Sequence, residues 1–180
     1  MHMHPRVTRM LRPVSAALGI VATLFASACE LSSPLRGPGS SRCADAPGVG
    51  DTVMVAVTHA VLDAEERGPF DDHSARVIDS LPSRDGFVAY GLRTRLFGNE
   101  VWTMTVWRDE AALNAFVSSS THEAAIEGGL HAVIRGQFDR FSWPANQPPP
   151  SWSVILERLK TAEMIEFRER AKTPLRGGEG

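Results

Sequence analysis

Two segments of this chain, TVMVAVTH at 52–59 and VWTMTVW at 101–107, alternate with a period of two yet carry apolar side chains on both faces. In the first, Val53, Val55, Val57 and His59 share one face, and Met54, Ala56 and Thr58 share the other. In the second, Trp102, Met104 and Val106 oppose Val101, Thr103, Thr105 and Trp107. β-Branched and aromatic residues suit a pleated strand, so both segments read as strands of a sheet that must be covered on its two sides.

The segments around them alternate in period. Residues 69–81 put Phe70, Val77, Ile78 and Leu81 at helical spacing, with Asp71, Asp72 and Asp79 on the outer side. Residues 87–97 (FVAYGLRTRLF) return to strand character, with Gly91 as a bulge or point of close approach, and Gly98-Asn99 makes a tight hairpin into the next strand. Asp109 is an N-cap for a helix whose buried stripe is Leu113, Phe116 and Val117. The cluster at 118–121 interrupts that helix, Ser120 with Glu123 forms a capping box that restarts it near Thr121, and Gly128-Gly129 ends it. Residues 131–143 form a closing strand, 144–150 a stiff Pro-rich connector, and 151–172 a last helix anchored by Trp152, Ile155, Leu156, Leu159 and Phe167. The order strand, helix, strand, strand, helix, strand is that of an α+β, split βαβ or ferredoxin-like plait over 51–144, with an added C-terminal helix. Its helices cover one sheet face. A homodimer packed sheet against sheet would cover the other, with the C-terminal helix as a rival.

Ahead of this domain the chain changes character. Arg6, Arg9 and Arg12 precede the apolar run VSAALGIVATLFA at 14–26, too short to span a bilayer comfortably, and small residues then lead into Cys29. Residues 1–28 resemble a bacterial lipoprotein signal peptide, which implies lipid on Cys29 and a cell-membrane lipoprotein. Ala26 stands where leucine is usual, and Ala26-x-Ala28 also suits ordinary cleavage and secretion. Residues 29–50 are rich in Ser, Gly and Pro and read as a flexible tether, with Cys43 an odd thiol inside it, and 173–180 read as a disordered tail. Over 180 residues with a formal charge of −2, no basic excess points to nucleic acid. No P-loop, GxGxxG, HExxH, GxSxG or paired-cysteine spacing follows the signal-like segment, so phosphoryl transfer, nicotinamide chemistry and zinc hydrolysis lose support.

The stretch VWTMTVWRDEAALNAFVSSSTHEAAI at 101–126, with the hairpin at 87–107 and the closing segment 138–143, is similar to the dimeric α/β-barrel superfamily that includes antibiotic-biosynthesis monooxygenases. That resemblance implies a homodimer and a pocket for a small apolar or aromatic molecule. Some members oxygenate polycyclic aromatics with no cofactor, others bind or degrade haem, and others are binding proteins without a reaction. Aligned on Trp107, the haem degraders' ligand histidine falls near Ile126, and the first strand offers Thr58 and His59 where they carry asparagine. A likeness to spheroidene-monooxygenase-like proteins does place a histidine at about His122, which keeps a haem-linked oxygenase as an alternative.

His122, His59 and Tyr90 are therefore the candidate acid/base or hydrogen-bonding groups, and Trp107, Phe116 and Trp102 the candidate pocket residues. Each also has a structural reading: a histidine satisfied by a cap or strand, a tyrosine or tryptophan filling a core. His59 shares the face of Val53, and Trp102 and Trp107, five apart on a strand, must face opposite sides. No cofactor and no metal is expected. The leading reading is a ligand-binding domain that is either a cofactor-independent monooxygenase or a non-enzymatic, surface-tethered binding or interaction protein.

Overall fold

The computed structural model describes residues 30–96 and 98–168. The signal-like segment, Cys29 and the tail at 173–180 lie outside the described residues. Six strands form one antiparallel sheet: β1 (Glu30–Ser32), β2 (Thr52–Leu62), β3 (Phe87–Arg95), β4 (Glu100–Trp107), β5 (Val133–Pro144) and β6 (Ile165–Glu166), in the order β1-β3-β4-β2-β5-β6. Helix α1 (Arg67–Ser80) links β2 to β3, while α2 (Glu110–Val117) and α3 (Ser120–Gly129) link β4 to β5. Helix α4 (Trp152–Leu159) follows β5. The inner four strands and their helices make the α+β ferredoxin-like plait.

The two sheet faces are packed very differently. On one, Val53, Val55, Val57, Val88, Met104 and Val106 are fully buried against Ile155 and Leu159 of α4. Leu35, Cys43, Ala46 and Val49 of the N-terminal segment complete that cover. On the other face, Phe87, Tyr90 and Trp107 pack with Leu81, Leu113 and Phe116. Helix α1 buries no side chain completely there, and α3 buries only Gly129.

The expected flexible tether is corrected by this arrangement. From Glu30 onward the segment is a strap laid across β3. Ser33 N–H donates to the Leu92 carbonyl at 2.8 Å, Arg36 and Tyr90 exchange bonds of 3.0 and 2.8 Å, and Gly39 N–H reaches the Val88 carbonyl at 2.9 Å. Cys43 N–H and Ala44 N–H then donate to Gln147 and Ala145 carbonyls at 2.9 and 2.8 Å. Gly37 has φ 131°, and a Cβ there would lie 2.4 Å from the Val88 carbonyl oxygen. The glycine thus permits a close crossing that side chains forbid. Cys43 belongs to the core, and burial pushes its thiol up to about 11.

The sheet-against-sheet homodimer is corrected for the same reason: the strap and α4 occupy the face that it would use. A homodimer of this chain is left with other surfaces. The last helix is also shorter than its pattern suggested. It ends at Leu159, and the chain turns back so that Phe167 N–H donates to the Ile134 carbonyl at 2.9 Å beyond β6. Phe167 anchors this return against β5, where its ring lies 6.2 Å from that of Phe138. Among the described residues no helix is long and apolar enough to cross a membrane.

The strap's packing has two measurable consequences. Ile155→Ala empties a fully buried site under α4 and should cost about 2–5 kcal/mol of stability. Glu157→Ala, on an exposed side chain of the same helix, should change it by less than about 0.5 kcal/mol in a urea titration. An alkylating reagent at pH 8 should leave the Cys43 peptide unmodified in native protein and modify it fully in denaturant, as read by peptide mass.

Candidate functional site

The break between α2 and α3 builds the site's wall. Asp109 caps α2, accepting from Ala112 N–H at 2.7 Å, and this bond holds its carboxyl below the usual range. Ser118 closes α2 with its N–H to the Asn114 carbonyl at 3.0 Å, and Ser119 caps α3 by accepting from His122 N–H at 3.4 Å. The cap is therefore Ser119 rather than Ser120, because Ser119 holds the extended conformation and Ser120 is already helical. This turn sets His122 beneath the last turn of α2, where its Nδ1 lies 3.1 Å from the Val117 carbonyl oxygen. A carbonyl only accepts, so Nδ1 carries the proton and the neutral ring keeps its lone pair on Nε2. Burial is the main force lowering the His122 pKa, and the nearby Arg140 charge adds to it, against the Val117 bond and Glu123. The ring is thus neutral at pH 7.

His122 continues an aromatic ladder. Its ring meets Phe116 edge-on at 4.9 Å, and Phe116 stacks on Trp107 at 4.7 Å. Trp107 is fully buried, with Phe87 edge-on at 5.8 Å and its Nε1–H donating to Thr105 Oγ1 at 3.0 Å. Tyr90 joins this cluster through Phe87, ring centroids 6.3 Å apart. His122, Phe116, Trp107 and Tyr90 therefore lie on one side of the sheet.

His59 and Trp102 lie on the other. Their rings stack at 4.6 Å, and both side chains are buried on the α4 side. Gln137 donates from Nε2 to the Leu159 and Ala162 carbonyls at 3.0 and 2.9 Å, which turns its Oε1 to His59 Nδ1 at 3.0 Å. His59 Nε2 meets Glu100 Oε2 at 3.2 Å. With both nitrogens bonded, His59 latches the end of α4 to the sheet and has none left for a ligand.

Strand register maps the helix-side face row by row. One row runs Arg140, Ala56, Thr105, Tyr90; the next runs Phe138, Thr58, Thr103, Leu92. In the second row Thr58, Thr103 and Leu92 are only half-buried, and Phe138 is 49% exposed although it lies on the face of the helix layer. Helix α1 meets the following row, where Arg67 donates to Thr94 Oγ1 at 3.2 Å, and α2 covers the preceding ones through Phe116 and Leu113. Helices α1 and α3 pack closely on each other, since a Cβ at Gly128 would sit 2.2 Å from the His73 ring. Thr58 and Thr103 thus keep part of their surface open to water on the helix side of the sheet. Arg140, one row away and donating to Asn114 Oδ1 at 3.2 Å, stands close enough to His122 to depress that group's pKa.

Thr58, Thr103 and Arg140 were not singled out from sequence. Period two does put Thr58 and Thr103 on the helix face, and Arg140 alternates with Phe138, but only strand pairing aligns them. An open depression of about 380 Å³ lies beside α2 between Arg84, Arg108 and Ala111, and Phe116 forms part of its wall. Its cations are already engaged, Arg108 by Asp85 and Asp109 and Arg84 by Thr121. Among the described residues no three His, Cys, Asp or Glu side chains gather as a metal site.

Residues 53–128 match the family model for antibiotic biosynthesis monooxygenases. Among solved structures, SnoaB, a cofactor-independent oxygenase from Streptomyces nogalater, is 20% identical over 57% of this chain and 100% of its own, with a TM-score of 0.43. A Lactobacillus acidophilus protein is 14% identical over 55% of this chain, with a TM-score of 0.46, and the match spans 50% of that protein's length. A Mycobacterium tuberculosis protein is 14% identical over 55% of this chain and 96% of its own, also with a TM-score of 0.46. No curated protein matches the sequence.

The His122 environment makes a testable electrostatic statement. Its imidazole should titrate by NMR below the ordinary value of about 6.5, and Arg140→Ala should raise the midpoint by removing a like charge. Because the folded value lies below the unfolded one, His122 favours folding above pH 6.5 and should lose that contribution as pH falls through the folded value. His122→Asn should flatten the slope of stability against pH in that window.

Proposed function

We propose that the half-buried row of Thr58, Thr103 and Leu92 floors a slot between the sheet and helices α1 and α3, and that this domain binds a flat aromatic or otherwise apolar small molecule there. The observation that carries the reading is the fixed tautomer of His122, which leaves a basic Nε2 at the end of an aromatic ladder near the charge of Arg140. Thr58 and Thr103 supply hydroxyls beneath the ligand, and Leu92 and Phe138 supply apolar edges. The match of 53–128 to a monooxygenase family supports the chemistry that this set of groups suits. His122 Nε2 would take a proton from an acidic C–H or phenol of the ligand, and Arg140 would stabilise the anion. The anion reduces O2 without a cofactor: an activated CH2 and one O2 become a carbonyl and one water. We also propose that the protein is exported and held at the membrane by lipid on Cys29, which the arginines at 6, 9 and 12 and the apolar run at 14–26 support.

A second reading, a binding protein without catalysis, needs only the slot, and its incomplete burial of sheet side chains favours that reading equally. One titration separates the two. Anthrone added to the purified domain should quench tryptophan fluorescence saturably and, in an oxygen electrode, should consume one O2 per ligand. His122→Ala should then cut turnover by about 10²–10⁴-fold, the range of a positioned general base, with a much smaller change in binding. Binding without oxygen uptake would establish the non-catalytic reading. Absence of binding across a panel of polycyclic phenols and anthrones would overturn both.

A further inference from the structure

Correction of the tether changes what a lipid on Cys29 would do. The first described residue, Glu30, is already paired with Arg95, and its carboxylate forms ion pairs with Arg93 and with Arg95. One residue of chain reaches at most about 3.3–3.6 Å. A lipid on residue 29 would thus be attached directly to the sheet edge, with no linker to hold the domain off the membrane.

What lies at that edge suits a bilayer. Leu31 is 60% exposed and Leu96 54% exposed, the two most exposed of the large apolar side chains among the described residues. Leu31 pairs with Thr94, and Leu96 follows directly on the last residue of β3, so both leucines stand at the same end of this sheet edge. Edge strands are usually protected by charge, but here Glu30 is neutralised by Arg93 and Arg95, and Arg95 also bonds Glu100. The edge therefore offers two bare leucines with no uncompensated acid from Glu30 to repel anionic lipid.

We infer that the mature domain docks flush on the bilayer through Leu31 and Leu96, with β1 at the membrane surface. This rests on the anchored reading proposed above. The occupant is lipid rather than a second copy because the attachment point adjoins β1, so the anchor delivers this edge to the bilayer before any other surface. Leu31, opposite Thr94, lies on the helix side of the sheet, as the bond from Arg67 of α1 to Thr94 shows. The orientation sets that side of the domain toward molecules dissolved in the membrane.

The test uses full-length protein made in a bacterium that processes lipoproteins, carrying Leu31→Cys, Leu96→Cys or, as a control, Glu157→Cys on α4. The mass of the mature N-terminal peptide is measured first. Each variant is labelled with a fluorophore, with native Cys43 shielded by burial, and is reconstituted into vesicles of phosphatidylethanolamine and phosphatidylglycerol containing brominated lipid. The labels at 31 and 96 should lose most of their fluorescence to the bromines, and the label at 157 should keep it. Lipidated protein with unquenched labels at 31 and 96 overturns flush docking and leaves the anchor standing. Self-quenching between copies at 96 with no lipid quenching assigns the patch to a second copy and also overturns it. An unmodified Cys29 overturns the anchored reading and, with it, the docking. Alkylation of Cys43 only in denaturant confirms that each variant is folded.

Discussion

The structure depends on how the chain covers the second face of its sheet. A sheet with apolar residues on both sides cannot stand with one side in water, because each exposed valine or methionine forfeits roughly 1.5–3 kcal/mol of burial. Here the cover comes from two pieces that flank the plait in sequence, the strap at its start and α4 at its end. They meet through Gln147 and Ala145, whose carbonyls bond Cys43 and Ala44, and through the shared core of Cys43, Ala46, Ile155 and Leu159. His59, Gln137 and Glu100 close the same face at its far end with polar bonds.

With that face filled, the opposite face is free to be the open one. Helices α1 and α3 lie against each other more closely than against the sheet, and the central threonines beneath them keep contact with water. A tightly packed side and a loosely covered side divide the fold: one supplies stability, and the other is where the proposed ligand would lie. The α2–α3 break then fixes His122 relative to Trp107 and Phe116 by two local bonds, Ser119 to His122 N–H and His122 to the Val117 carbonyl.

Much of this was legible in the sequence. Period two located β2 and β4 and put Trp102 and Trp107 on opposite faces, and Asp109 announced its helix by capping chemistry. The strap was not legible. Serine, glycine and proline are shared by linkers and by crossing segments, and the difference lies in bonds to Leu92, Val88 and Ala145, remote in sequence. Its four apolar contributors, Leu35, Cys43, Ala46 and Val49, follow no helix or strand period. The end of α4 was missed because Phe167 continues the helical spacing while packing on Phe138 from a return strand. At the site, His122 was visible as a residue, but its tautomer and its neighbour Arg140 needed strand register and a turn geometry that no short-range pattern encodes.

The central claim, that this chain seals its own second sheet face, is tested most directly by native-state hydrogen exchange. The amides of Arg36, Gly39, Cys43 and Ala44 should exchange about as slowly as those of β4, because opening the strap would expose the core formed with α4. Exchange of those four amides at the rate of an unstructured peptide, with β4 still protected, would contradict it.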